Sequence, residues 1–210
     1  MQTTIDTADQ GSQPTVTAQT EQAGAHSEHE DFRLLGLMVF LASESLMFCG
    51  LFASYLIYRS AHSTWPPEGT DVELLFPTIN TIILVSSSFV IHRGDVAIKK
   101  NDVKRLRLWY GLTVLMGLIF LGGQVYEYLT LGYGLSTNVF SSCFYLMTGF
   151  HGLHVFVGVL LMLGVIWRSR RLNHYHATKH TGPEMAEIYW HFVDIIWVIL
   201  FSLLYILTHI

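Results

Sequence analysis

Residues 34–58 read LLGLMVFLASESLMFCGLFASYLIY, twenty-five residues in which Glu44 is the single formally charged side chain. An α-helix rises about 1.5 Å per residue, so about 20 apolar residues cross a hydrocarbon core of about 30 Å. This run meets that length. Working outward, further apolar runs follow at about 74–91, 108–129, 139–167 and 189–210. The run at 74–91, LLFPTINTIILVSSSFVI, is short and carries three consecutive serines; its other reading is a buried helix of a soluble core. Five runs predict an all-α, integral membrane bundle of five transmembrane helices.

Composition agrees. Only 13% of the 210 residues are charged and 51% are hydrophobic, where a soluble domain carries about 25% charge. The mean hydropathy of +0.40 includes a polar stretch, 1–31, rich in Thr, Gln, Ser and acidic residues. That stretch lacks the apolar surface to offset its ordering entropy and is expected to be a disordered tail ahead of a membrane domain at 32–210. It lacks the basic start and apolar core of a signal peptide. A net charge of −4 argues against a nucleic-acid binder. Cys49 and Cys143 both sit inside apolar runs, so neither a disulfide framework nor a CxxC motif is present.

The basic residues test the topology independently. Five crossings put the N-terminus, the second loop and the fourth loop on one side, and these hold eleven of the twelve Lys and Arg residues. Arg59 alone falls on the other side. The positive-inside rule then predicts a cytoplasmic N-terminus and an outside C-terminus.

Polar groups at membrane depth each need a reason. Glu44 lies about 15 Å in by helix rise, where an acidic side chain costs about 2.5–3.5 kcal/mol to insert. It is either a proton-handling or lipid-anchoring carboxyl, or a neutral one hydrogen-bonded between helices. His151 and His154, in GFHGLHVFVG, lie three apart on one helix face. A metal site needs more ligands than this pair supplies, so hydrogen bonding across helices is the expected role. His154 lies about 20 Å deep, close enough to the level of Glu44 for contact if the two helices are turned to face each other. In EMAEIYWHFVDIIW, the residues Glu184, Glu187, His191 and Asp194 are spaced three, four and three apart. They form a polar stripe on one face, either an interhelix seam or a proton relay. Glu127 falls near the outer end of the third run, where solvent is expected to reach it. The fourth loop, RSRRLNHYHATKH, sets topology and suits anionic headgroups. Many glycines in the runs predict close helix packing. No P-loop, dinucleotide fingerprint, GxSxG or HExxH occurs.

Several of these motifs, in this order, resemble subunit III of the haem-copper terminal oxidases. FLASESLMF resembles the family's intramembrane Ser-Glu, and STWPP with Gly69 its outer W-P-P-x-G loop. PTINTIILVSSS resembles its P-x-x-N-T helix start, and GQVYEY its Q-x-x-E-Y element. TGFHGLHV and YWHFVDIIW are specific to it. The resemblance runs from about Leu34 to the C-terminus and points to the short five-helix bacterial form, lacking the first two helices of the long form.

The resemblance implies an accessory, non-redox subunit with no catalytic residue, metal or cofactor of its own. Haem and copper would lie in the partner subunits I and II, with cytochrome c as the substrate of the complex. A helix cleft would hold bound phospholipid and support proton uptake into subunit I. On this basis Glu44, His154, Arg170, Arg171 and His174 are expected to serve lipid and proton support. His151, Glu187, His191 and Asp194 are expected to form a structural polar seam. The alternatives are the equivalent subunit of a quinol oxidase or nitric oxide reductase, and more remotely a free-standing transporter or a lone metalloenzyme.

Overall fold

The computed structural model describes residues 16–70, 72–170, 175 and 180–208. Five helices follow in order: α1 Val16–Ala61, α2 Leu75–Lys99, α3 Val103–Thr130, α4 Val139–Arg168 and α5 Thr181–Phe201. A π-helical turn, Ser202–Ile206, continues α5. No strand occurs among the described residues. The chain divides into two compact units, Met1–Met38 and Val39–Ile210. In the first, residues 16–38 are helical, and the opening part of the expected tail, 1–15, lies outside the described residues. The second unit holds the helix packing described below.

Each helix contains a stretch long and apolar enough to cross a membrane: Phe32–Ala61, Leu75–Lys99, Val103–Thr130, Val139–Arg168 and Thr181–Ile206. The second is longer than its apolar run, 25 residues in all, because His92, Arg93, Asp95 and Lys99 continue the helix past Ile91. It ends where Asn101 takes a left-handed φ of 58°, a conformation that Asn tolerates better than most residues. Asp102 then caps α3 by accepting the Arg105 N–H at 3.0 Å. Asn138 caps α4 through a reciprocal box with Ser141.

Helices α2, α3, α4 and α5 close a ring, α2 packing on α3 and α5, and α4 on α3 and α5. Trp190 of α5 fills the centre and is fully buried. It fits because two partners lack a side chain there: a Cβ at Gly117 of α3 or Gly158 of α4 would come within 2.8 Å of the indole. Its Nε1 donates to Ser87 Oγ of α2 at 2.8 Å. The α2–α3 pair is equally close at Gly123, where a Cβ would meet the Asn80 amide at 2.6 Å. Small residues therefore bring the backbones together, as expected where lipid offers no hydrophobic drive between helices.

The 39–61 part of α1 reaches the ring through side chains. Buried Tyr55 donates its hydroxyl to the Leu203 carbonyl at 3.1 Å and accepts from Trp65 Nε1 at 3.1 Å. Trp65 meets Phe140 of α4 edge-on. The outward faces carry Leu46, Phe89 and Leu129, all largely exposed, while Asn80, Ser87, Thr113, Gln124 and Asp194 are buried. Apolar side chains outside and polar ones inside is the arrangement that a hydrocarbon solvent demands.

Candidate functional site

Glu44 and His154 meet. Glu44 Oε2 lies 3.1 Å from His154 Nε2, and His154 Nδ1 lies 2.7 Å from the Phe150 carbonyl one turn earlier. A carbonyl only accepts, so Nδ1 carries a proton. The Nε2–Oε2 contact then holds one proton, either on the carboxyl or on the imidazole. Both arrangements leave the pair without net charge, which removes most of the cost of an isolated carboxylate at this depth. Phe48 packs its ring edge-on against His154 at 5.2 Å, and Tyr189 of α5 donates to the His154 carbonyl at 3.2 Å. Thus α1, α4 and α5 converge on one histidine.

A second polar group joins α5 to α2. Glu187 Oε1 accepts from His92 Nδ1 at 2.9 Å and faces His191 Nε2 at 3.4 Å. Ser88 Oγ lies 3.0 Å from His191 Nδ1 and donates to Asp194 Oδ2. The order is His92, Glu187, His191, Ser88, Asp194, from an exposed histidine to a buried carboxyl. Glu187, His191 and Asp194 were legible from their spacing on α5; Ser88 and His92 on α2 were not. An open groove of about 400 Å³, walled by Val85, Ile195, Val198 and Ile199, borders the Asp194 end. The Glu184 carboxyl takes no part in this chain of contacts.

His151 stands apart from this seam. It is fully buried, both ring nitrogens lack a hydrogen-bond partner among the described residues, and it packs against Phe120 and Trp197. The expected cross-helix hydrogen bond is absent because this part of α4 faces aromatic rings of α3 and α5. Glu127 also departs from expectation. It is buried rather than solvated, accepting from Tyr205 at 2.9 Å and Gln124 at 3.1 Å. Distance from the helix end indicated depth; the rotation of α3 turned the side chain inward. Arg170 is exposed, whereas Arg171 and His174 lie outside the described residues. Among the described residues, no group of three or more His, Cys, Asp or Glu is placed to hold a metal ion.

Comparison with known proteins gives this geometry a context. Residues 14–209 match the family model for cytochrome c oxidase subunit III. A cytochrome c oxidase subunit 3 from Thermostichus vulcanus is 75% identical over 86% of this chain and 90% of its own length. A protein of the same name from Synechocystis sp. is 54% identical over 99% of this chain and 88% of its own. A probable cytochrome c oxidase subunit 3 from Nocardia farcinica is 41% identical over 81% and 86%. With five spanning helices and these matches over nearly its whole length, the chain belongs to the cytochrome c oxidase subunit III family and is a multi-pass membrane subunit of that oxidoreductase complex.

Proposed function

We propose that this chain is the non-redox accessory subunit of a proton-pumping cytochrome c oxidase. It stabilises subunit I, holds structural phospholipid and supports proton uptake, while haem and copper in subunits I and II carry electrons from cytochrome c to oxygen. The complex lies in the plasma membrane or an internal energy-transducing membrane of a bacterium, with the N-terminus of this chain cytoplasmic. The observation that carries the reading is the Glu44–His154 pair, a one-proton contact between α1 and α4 at 3.1 Å. Such a pair exchanges a proton between its members without creating net charge in the membrane.

The test is the purified oxidase carrying Glu44→Ala. Assembly and haem content should persist, and activity should decay faster during turnover than in the unmodified complex. Unchanged decay kinetics together with unchanged lipid content would remove Glu44 from any functional role. Oxidation of quinol in place of cytochrome c by the intact complex would move it to the quinol branch.

A further inference from the structure

The hairpin end of α2 and α3 carries a groove outside both the Glu44–His154 pair and the His92–Asp194 seam. It encloses about 400 Å³ and is lined by Arg93, Val96, Lys100, Asp102, Arg105 and Trp109. Three cations face one carboxylate, and that carboxylate is committed. Asp102 Oδ1 caps the Arg105 N–H, and Oδ2 lies 3.2 Å from Arg105 Nε. Lys100 has no ion pair among the described residues, whereas its neighbour Lys99 is held by Asp95 at 2.6 Å. The Arg93 guanidinium lies over the Trp109 ring at 5.3 Å, which fixes its position while leaving its N–H edge able to donate.

The groove continues into the membrane span. Phe89, Arg93 and Val96 of α2 and its C-cap residue Lys100 are spaced four, three and four apart, and Arg105, Trp109 and Leu112 four and three apart on α3. Each set shares one helix face. Phe89, Val96 and Leu112 are exposed apolar side chains on those faces. Cations at the end of a span, an indole at the same level and an apolar wall running inward suit one kind of molecule.

We infer that the α2–α3 hairpin is a binding site for one anionic phospholipid. Its phosphate is held by Arg93, Lys100 and Arg105, its glycerol lies against Trp109, and an acyl chain follows Phe89, Val96 and Leu112. The site deepens the lipid-holding part of the proposed function and rests on it. It is distinct from the fourth-loop arginines, being built on a different hairpin.

Native mass spectrometry of the intact, partly delipidated oxidase titrated with phosphatidylglycerol, and separately with phosphatidylcholine, tests it. The probe variant is Arg93→Gln/Lys100→Gln/Arg105→Gln; the comparison variant is Arg170→Gln/Arg171→Gln. Arg93 and Arg105 lie near the facing ends of α2 and α3 and Lys100 between them, and all three side chains are exposed, as is Arg170, so these replacements leave the helix cores intact. The expected result is loss of one phosphatidylglycerol in the probe variant, with affinity weaker by about tenfold or more. Phosphatidylcholine binding should not change, and millimolar inorganic phosphate should not displace the lipid. Full phosphatidylglycerol binding in the probe variant, with loss in the comparison variant, overturns the site and leaves the proposed lipid-holding function standing. Full binding in both overturns both. Displacement by inorganic phosphate alone overturns the lipid assignment in favour of a free-anion site.

Discussion

Glu44 of α1 and His154 of α4 are 110 residues apart in the chain and 3.1 Å apart in the fold. The contact works because His154 is already fixed from behind, its Nδ1 held by the Phe150 carbonyl. Removing either partner leaves a polar group at membrane depth without its counterpart, a loss of about 1–3 kcal/mol. A double-mutant cycle with Glu44→Ala and His154→Phe, read by thermal unfolding of the detergent-solubilised complex, should show a coupling of about 0.5–3 kcal/mol. Additive effects would mean that the two side chains are neighbours without an energetic link.

The centre of the ring makes a steric prediction. Gly117→Ala and Gly158→Ala each drive a Cβ to within 2.8 Å of Trp190. Overpacking of this kind costs about 1–3 kcal/mol. A Cβ at Gly164, on the same helix as Gly158, would meet no other described residue within 4 Å, so Gly164→Ala should be neutral or slightly stabilising. Melting temperatures of the three complexes, compared directly, check the contrast.

Two adjacent serines on α2 face two different partners. Ser87 accepts the Trp190 N–H, and Ser88 joins His191 to Asp194. Ser87→Ala leaves a buried indole N–H without its acceptor and should lower stability by about 1–3 kcal/mol. Ser88→Ala should also change the environment of a carboxyl, shifting the Asp194 stretch in infrared difference spectra; the Ser87 variant should leave that band in place.

Glu127 is the acceptor for both Gln124 and Tyr205. Glu127→Gln keeps an acceptor oxygen and nearly the same volume. Glu127→Ala removes the acceptor and opens space. The alanine variant should therefore be the less stable by about 1–3 kcal/mol, measured by denaturation of the purified complex. Equal stability would show that water takes over the carboxyl's role.

The charge asymmetry of the loops predicts sidedness. With Ser63 and Lys104 replaced singly by cysteine, a membrane-impermeant maleimide should label position 63 in intact spheroplasts. Position 104 should react only after lysis. The opposite pattern would invert the topology that the basic residues imply.

Spacing along the chain was enough for the number of helices, their membrane character and the face shared by Glu187, His191 and Asp194. These are local properties: apolar length sets whether a segment spans, and a 3.6-residue period sets which side chains lie together. The family motifs were legible for the same reason, as short strings in a fixed order.

Helix rotation and partner choice were decided by the tertiary structure. Spacing on α5 revealed half of a seam; the other half, Ser88 and His92, lies about a hundred residues away on α2 and met it only when the ring closed. His151 and His154 share a face locally, yet one is sealed between Phe120 and Trp197 and the other meets Glu44. Glu127 had the right depth but the opposite orientation from the one expected. A helix in lipid can turn about its own axis without changing its sequence period. The azimuth of each helix is set by what it packs against, here Trp190 seated between Gly117 and Gly158.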